Sequence, residues 1–245
     1  MDNTLDILRT ATEASPYYGR LYLVGGIVRD KLLEKPSDED IDIVLEGDAG
    51  ELAEFLHTQG VAEHAPVTYP RFGTAMVTVR GTQVELVGAR RESYDPASRK
   101  PSTSPGTLLD DVLRRDFTIN TMLENLHTGE ILDLTGRGML DMWDKLIRTP
   151  VDPASTFADD PLRMLRAIRF ATRLGFRIDE EVYAAVGSCA ARLGIVSGER
   201  IREEFIKMLM GPDAVAGLDM LRETNLLDQF APDLSAMHGV TQNIY

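Results

Sequence analysis

The stretch that decides the fold runs from residue 21 to residue 45. It reads Leu21-Tyr-Leu-Val-Gly-Gly-Ile-Val-Arg-Asp30 and, after a polar interval, Asp40-Ile-Asp-Ile-Val-Leu45. The pattern predicts a buried strand ending near Val24, a turn at Gly25-Gly26, a helix over 27–33 and a second strand over 40–45. A strand, a glycine pair and a helix N-terminus together let backbone N–H groups approach a phosphate closely.

Asp40 and Asp42 lie two residues apart in the second strand, so their carboxylates point to the same face. Two parallel carboxylates repel each other unless a cation lies between them. Hard oxygen ligands at this spacing suit Mg²⁺, which takes further ligands from water and a substrate phosphate. For Asp-x-Asp alone, two solvated aspartates on an edge strand are the commoner interpretation. The glycine turn upstream instead favours a site for a metal and a nucleoside triphosphate.

Glu85 interrupts the apolar run Val84-Glu85-Leu86-Val87. Taken alone, it is most simply a solvent-facing residue of a strand. If its strand lies beside 40–45, Glu85 completes a cluster of three carboxylates with Asp40 and Asp42. Such a cluster can hold two divalent ions for phosphoryl or nucleotidyl transfer.

The composition is that of a soluble globular protein, with 245 residues, 43% hydrophobic residues and a net charge of −13. No apolar stretch approaches the roughly 18 residues of a membrane span. Cys189 is the only cysteine, which excludes an internal disulfide. We therefore expect a cytoplasmic protein without a membrane segment. The acidic balance argues against a generic nucleic-acid binder, so any contact with RNA must be confined to a local basic patch.

The pattern along the chain predicts an α+β fold in two parts. A head of mixed strands and helices covers 1–150, and a helical segment covers 151–245, in a chain that we expect to be part of a longer protein. Residues 88–107, rich in Arg, Ser and Pro, predict a functional or mobile loop of about 20 residues. The predicted strands are 21–25, 40–46, 61–65, 74–79, 82–87, 121–126 and 130–133. The predicted helices are 4–14, 26–34, 49–59, 108–114, 161–175, 179–191, 199–210 and 213–223.

A second motif, Arg114-Arg-Asp-Phe-Thr-Ile-Asn120, follows this loop. The planar fork of donors on Arg115 suits phosphate contact. Asp116 could accept a hydrogen bond from a ribose hydroxyl, or could simply cap a helix.

A third motif, Asp159-Asp160-Pro161-Leu-Arg163, opens the predicted helix 161–175. Asp160 and Pro161 form a good N-cap and N1 pair, and an Asp–Arg pair one turn apart could bond the Watson–Crick edge of a base. The helix also carries five arginines within roughly a third of its circumference. Such a stripe is usually solvated, but without lysines it suits phosphates or base edges. These arginines are Arg163, Arg166, Arg169, Arg173 and Arg177.

Together with Ser197-Gly-Glu-Arg-Ile-Arg202, these segments resemble the class II tRNA nucleotidyltransferase and bacterial poly(A) polymerase family, in the family's order. The resemblance implies a polymerase-β-like nucleotidyltransferase head, then a helical neck, with body and tail regions largely beyond this chain. Asp159 stands where the family usually has Glu, and 133–141 matches its hinge motif loosely.

The resemblance also implies a role for each matched residue. Asp40 and Asp42 would bind Mg²⁺, with Glu85 as the third carboxylate, and 88–107 would be the family's flexible loop. The other implied contacts are with the nucleotide. The triphosphate would lie at Gly25, Gly26 and Arg29, and the ribose at Asp116, in the motif that also contains Arg115 and Asn120. The base of CTP or ATP would lie at Asp160 and Arg163, with Arg166 and Arg169 nearby.

We therefore expect a template-independent enzyme that adds CCA, or part of it, to the 3′ end of tRNA. An A-adding enzyme and a poly(A) polymerase remain open within the family, while the full-length loop disfavours a CC-adding enzyme. A non-catalytic RNA-binding module is the alternative from another class, and the intact carboxylates argue against it. A nucleotidyltransferase for small molecules would not need the arginine-rich helix. The sequence leaves the oligomeric state open.

Overall fold

The structure is a computed structural model that describes residues 2–36, 40–95 and 98–241. The chain divides into two compact units. One comprises Met1–Asp95 and Lys100–Met142, and the other comprises Trp143–Tyr245 together with 96–99.

The first unit is built on a seven-stranded mixed sheet with helices. Its helices are α1 (Asp2–Glu13), α2 (Gly26–Leu32), α3 (Ala49–Thr58), α4 (Leu108–Leu113) and α5 (Gly138–Trp143). Its strands are β1 (Tyr22–Val24), β2 (Ile41–Leu45), β3 (Val67–Tyr69), β4 (Thr74–Val79), β5 (Thr82–Gly88), β6 (Arg90–Asp95), β7 (Ser98–Pro105), β8 (Leu123–Asn125) and β9 (Ile131–Leu132).

The strand order in this sheet is β3-β4-β5-β2-β1-β8-β9. Only β2 and β5 pair in parallel, and the other neighbours pair antiparallel. The core packs against one face of the central strands, where alternate residues such as Ile41, Ile43 and Leu86 are buried. The opposite face is covered only in part, where Val112 of α4 packs in a cluster with Val24 and Val44.

Two local predictions for this unit are wrong. No strand forms at 61–65, because the backbone N–H groups of Val61 and Ala62 bond to the carbonyl of Leu56 and close the end of α3. The next strand of the sheet is β3, which begins at Val67. The predicted loop 88–107 contains the two-stranded hairpin of β6 and β7. Both strands are polar in sequence, so they lack the hydrophobic alternation by which a strand is recognised.

The second unit is helical around a core of its own. Its helices are α6 (Pro153–Asp159), α7 (Leu162–Leu174), α8 (Glu180–Cys189), α9 (Gly198–Leu209), α10 (Ala214–Glu223) and α11 (Pro232–Ala236). Its short strands, β10 (Leu146–Ile147) and β11 (Arg177–Ile178), pair in parallel. The core includes Phe157, Met164, Ile168, Val186 and Leu221. The predicted helices are confirmed within one or two residues at most ends, whereas strands of two residues are too short to give a periodic signal.

No helix in the described residues is both long enough and apolar enough to cross a bilayer.

Candidate active site

The strand register brings two of the three predicted carboxylates side by side. Asp42 of β2 is the direct cross-strand partner of Glu85 of β5. Both are half-buried, while their strand neighbours Ile41 and Leu86 are fully buried on the opposite face. Asp40 is exposed and immediately precedes β2. The strand of Glu85 therefore lies beside the strand of Asp42, as a shared carboxylate site requires.

The carboxylate pair can accept a hard cation that shares its shell with a substrate. Within 2–36, 40–95 and 98–241, no three or more His, Cys, Asp or Glu side chains form a group that could hold a metal. Mg²⁺, however, is usually bound by one or two carboxylates together with waters and substrate phosphates, rather than by an all-protein cage. The donor chemistry of Asp42 and Glu85 therefore fits a divalent ion.

The turn at Gly25 lies next to the side chain of Asp42. Gly25 precedes α2 with φ 82° and ψ −139°, a conformation that strains any residue with a side chain. A Cβ atom built on Gly25 would lie 3.7 Å from Oδ2 of Asp42 and 3.8 Å from Nη1 of Arg115. A glycine turn, a carboxylate and a guanidinium therefore surround one small space. Gly26, the first residue of α2, is half-buried.

Asp111 of α4 holds the two arginines of the second motif. Its Oδ2 accepts hydrogen bonds from Nε of Arg115 at 3.1 Å and from Nη2 at 2.8 Å. Its Oδ1 accepts hydrogen bonds from Nε of Arg114 at 3.0 Å and from Nη2 of the same side chain. Burial of Asp111 raises its pKa, but the charges of Arg115 and Arg114 outweigh this effect and hold the pKa below its ordinary value. Arg115 is thereby fixed with Nη1 directed to Gly25.

Arg29 of α2 belongs to a buried chain of hydrogen-bonded side chains. It is 1% exposed, and Nε donates to Oδ1 of Asp30 at 2.7 Å while Nη1 donates to Oδ1 of Asn120 at 2.9 Å. Asn120 in turn donates through Nδ2 to Oδ1 of Asp116 at 3.0 Å, and the same oxygen accepts the backbone N–H of Phe117 at 2.8 Å. This arrangement favours a positioning role for Arg29 in the first unit. It also places Asp116 beside a 3₁₀ turn rather than at the start of an α-helix.

In the second unit, Asp160 bonds to the start of α7 and to an arginine that the sequence did not predict as its partner. Its Oδ1 accepts the N–H of Leu162, the first residue of α7, at 3.2 Å. The helix begins one residue later than predicted, and its N-cap is Pro161 rather than Asp160. Oδ2 of Asp160 accepts a hydrogen bond from Nη2 of Arg200 in α9 at 2.9 Å. Arg163, which the resemblance places with Asp160 at the nucleotide base, donates through Nη1 to the carbonyl of Thr156 at 3.4 Å. Arg200 therefore orients the carboxylate that the resemblance assigns to base recognition.

The arginine stripe of α7 is not a solvated face. Arg169 is 5% exposed, and its Nε donates to Oε2 of Glu204 in α9 at 2.6 Å. Arg166 lies 3.6 Å from Oε1 of the same carboxylate, and both guanidinium groups lie over the ring of Phe170. The fifth arginine, Arg177, lies outside the helix, because α7 ends at Leu174 and Gly175 turns left-handed into β11.

Sequence reasoning missed three residues of these sites: Asp111, Arg200 and Glu204. Asp111 could have been found, since it lies three residues before Arg114 and four before Arg115, the spacing at which side chains meet along a helical turn. Arg200 lies in the motif over 197–202, but neither it nor Glu204 gave a signal for its contact, because the partners are distant along the chain.

Comparison with known families agrees with this geometry. Residues 21–148 match the family described as the poly(A) polymerase head domain. Residues 175–237 match a second family, described as the probable RNA- and SrmB-binding site of polymerase A.

Curated relatives share more than a third of their aligned residues with this chain. A tRNA nucleotidyltransferase of Schizosaccharomyces pombe, cca2, is 38% identical and aligns with 92% of this chain and 50% of its own length. An A-adding tRNA nucleotidyltransferase of Aquifex aeolicus is 37% identical and aligns with 92% of this chain and 27% of its own length. The chain thus spans about half, or less, of the length of these relatives.

A solved structure shows the same fold. The Thermotoga maritima CCA-adding enzyme, in its complex with tRNA, superposes with a TM-score of 0.78 at 30% identity, covering 95% of this chain and 53% of that one. Since the head-domain family covers more than half of the sequence and the fold agrees, this chain belongs to the class II tRNA nucleotidyltransferase and bacterial poly(A) polymerase family.

Proposed function

We propose that this chain carries the catalytic part of a template-independent RNA nucleotidyltransferase that adds CCA, or part of it, to the 3′ end of tRNA. The substrates are CTP and ATP, and the cofactor is Mg²⁺. The attacking group is the 3′-hydroxyl of the RNA, and pyrophosphate leaves.

The observation that carries this proposal is the convergence of four groups in the first unit. Asp42 and Glu85 are paired across β2 and β5, and the side chains of Asp42 and Arg115 both lie against Gly25. Carboxylates placed beside an anion-binding guanidinium and an uncrowded backbone turn are what a metal–triphosphate complex requires.

Each residue then has a defined task in this proposal. Asp42 and Glu85 would hold the metal as a pair, since Asp40 does not form the predicted three-carboxylate group with them in the described residues. A bound divalent ion would neutralise the triphosphate and lower the pKa of the attacking hydroxyl. Arg115 would bind a phosphate through Nη1, the nitrogen that its bonds to Asp111 leave unused. Arg29 would hold Asn120, and through it Asp116, at the ribose.

The choice of nucleotide is assigned to Asp160 and Arg163, whose donors and acceptors suit the Watson–Crick edges of cytosine and adenine. Arg200 would keep the Asp160 carboxylate in one orientation, and Glu204 would do the same for Arg166 and Arg169. A fixed set of donors and acceptors can discriminate between bases, because a wrong base leaves buried polar groups unpaired.

An A-adding enzyme is the second candidate, because one relative at 37% identity carries that name. The two candidates share the same carboxylates and the same proposed base-pairing residues, so only substrate use separates them. The cytoplasmic location stays a prediction.

The test is incorporation of labelled CTP or ATP, with Mg²⁺, onto tRNA lacking its 3′ CCA and onto tRNA already ending in CC. CTP use on the first substrate and ATP use on the second supports the CCA-adding proposal. ATP use on the second substrate alone assigns A addition. Incorporation onto neither, combined with no Mg²⁺-dependent nucleotide binding, would contradict catalysis and favour an RNA-binding module.

Asp42→Ala provides the test of the metal assignment. Asp42 is half-buried on the central strand β2, on the face opposite the buried Ile41 and Ile43, so its loss should leave the far-ultraviolet circular dichroism of the chain unchanged while abolishing incorporation. Retained incorporation by Asp42→Ala would overturn the assignment of the metal to this carboxylate.

A further inference from the structure

The carboxylate pair belongs to a longer row of residues that crosses the sheet. Asp42 pairs with Glu85, Glu85 pairs with Met76 of β4, and Met76 pairs with Val67 of the edge strand β3. Direct cross-strand partners point to the same face of a sheet. The side chains of Met76 and Val67 therefore continue the catalytic face towards its edge.

A second row runs parallel to the first. Val87 of β5 pairs with Thr74, and Thr74 pairs with Tyr69, the last residue of β3. Tyr69 and Val67 are two residues apart in one strand, so they also share the face of the carboxylates. We call Val67, Tyr69 and Met76 the edge surface.

The edge surface is apolar and yet open to solvent. Val67 is 52% exposed and Tyr69 is 46% exposed, and Met76 is half-buried. On the opposite face of β4, Ala75 and Val77 are buried in the core. An aromatic and an aliphatic side chain left exposed on the face that carries the carboxylates favour a bound partner with flat apolar faces.

The charge beside the edge surface suits a phosphate backbone. Arg71, two residues after Tyr69, is exposed, and its guanidinium lies 5.9 Å from the ring of the exposed Phe72. Aromatic side chains flanked by a cation are the usual platform for single-stranded nucleic acid, because bases stack on the rings while arginine meets phosphates.

We propose, as an inference that rests on the proposed function, that the edge surface binds the last nucleotides of the RNA 3′ end, on the 5′ side of the attacking hydroxyl. Three strand spacings separate Asp42 from Val67, or about 14 Å at about 4.8 Å each. At a stacked rise of about 3.4 Å per nucleotide, that distance corresponds to about four nucleotides. Tyr69 would stack on a base, and Val67 with Met76 would form the apolar floor.

Pairing of β3 with a strand from another protein is the competing use of this edge. The strand is only three residues long and lies between Pro66 and Pro70, which cannot donate backbone hydrogen bonds. Short strands flanked by proline are a usual protection against pairing between sheet edges. The edge is therefore better suited to side-chain stacking than to strand addition.

The first test measures binding of tRNA lacking CCA by fluorescence anisotropy, with the full chain. Tyr69→Ala should raise the Kd about ten-fold, and Tyr69→Phe should restore it, because phenylalanine keeps the stacking face. Tyr18→Ala is the matched control: Tyr18 is 54% exposed but lies outside the sheet, and its loss should leave the Kd unchanged. The KM for CTP should be the same in all variants that are active.

Outcomes of the binding test separate this proposal from the proposed function. If the unmodified chain binds RNA and Tyr69→Ala binds equally well, the edge surface is excluded while the proposed function stands. If the unmodified chain binds no RNA, both are overturned.

The second test replaces Val67 with a photoreactive p-benzoylphenylalanine. Cross-links should form within the last four nucleotides of the RNA, and the same replacement at Tyr18 should give none there. Cross-links between two copies of the chain, without RNA cross-links, would assign the edge to protein pairing and overturn the proposal.

Discussion

Replacement of Asp111 by asparagine should destabilise the first unit and misplace Arg115. Asp111 is 0% exposed and accepts hydrogen bonds from two guanidinium groups. Asn keeps the shape but removes the charge, so both arginines lose their counter-ion at once. Loss of one partner from a buried ion pair typically costs about 3–5 kcal/mol.

The expected loss is near the lower end of that range. The side chains of Arg114 and Arg115 retain 20% and 17% exposure, so water can partly replace the lost carboxylate. We therefore expect a loss of about 3 kcal/mol, which for a chain of this size corresponds to a fall in Tm of about 6–12 °C. The KM for CTP or ATP should rise as well, because Nη1 of Arg115 is no longer fixed beside Gly25.

The assay is calorimetry of the Asp111→Asn variant, with Asp6→Asn as the matched control. Asp6 also pairs with an arginine three residues away, but both side chains are exposed, and such pairs contribute about 0.2–1 kcal/mol at most. The reasoning is refuted if Asp111→Asn lowers the Tm no more than Asp6→Asn does.

The pH dependence gives an independent check of the same carboxylate. The pKa of Asp111 is lower in the folded chain than in the unfolded chain. Its contribution to stability is therefore fully present above the unfolded value of about 3.9 and is lost as the pH falls through the folded value. The stability difference between the unmodified chain and Asp111→Asn should be constant from pH 5 to pH 8 and should shrink only below about pH 4.

Two further predictions concern the turn and the second unit. Gly25→Ala should lower the free energy of unfolding by about 1–3 kcal/mol through backbone strain and should raise the KM for the nucleotide. Gly19 also has a positive φ but lies in open space, so Gly19→Ala should affect stability alone. Equal nucleotide KM values in the two variants would contradict the placement of Gly25. Glu204→Gln should lower the free energy of unfolding by about 3 kcal/mol, because it leaves the buried Arg169 without its carboxylate. Calorimetry measures this loss, with Asp219→Asn, at an exposed ion pair, as the control. A loss no larger than that of Asp219→Asn would contradict the buried ion pair.

The sequence by itself determined the local elements and the chemistry of the motifs. Short apolar runs rich in β-branched residues predicted β2, β4 and β5, because such side chains pack well on the surface of a sheet. The glycine pair at 25–26 marked the turn, because the conformation observed at Gly25 suits only glycine. The proline after Asp160 marked the start of α7 to within one residue.

Only the tertiary structure decided which of these residues meet. The pairing of Asp42 with Glu85 depends on the parallel register of β2 and β5, which no local pattern encodes. The same holds for Arg200 with Asp160 and for Glu204 with Arg169, whose contacts join separate helices. The burial of Arg29 and Arg169 also followed from tertiary packing. An arginine in a sequence is equally compatible with contact to solvent, to phosphate or to a buried carboxylate, and only the neighbouring side chains in the fold determine which contact forms.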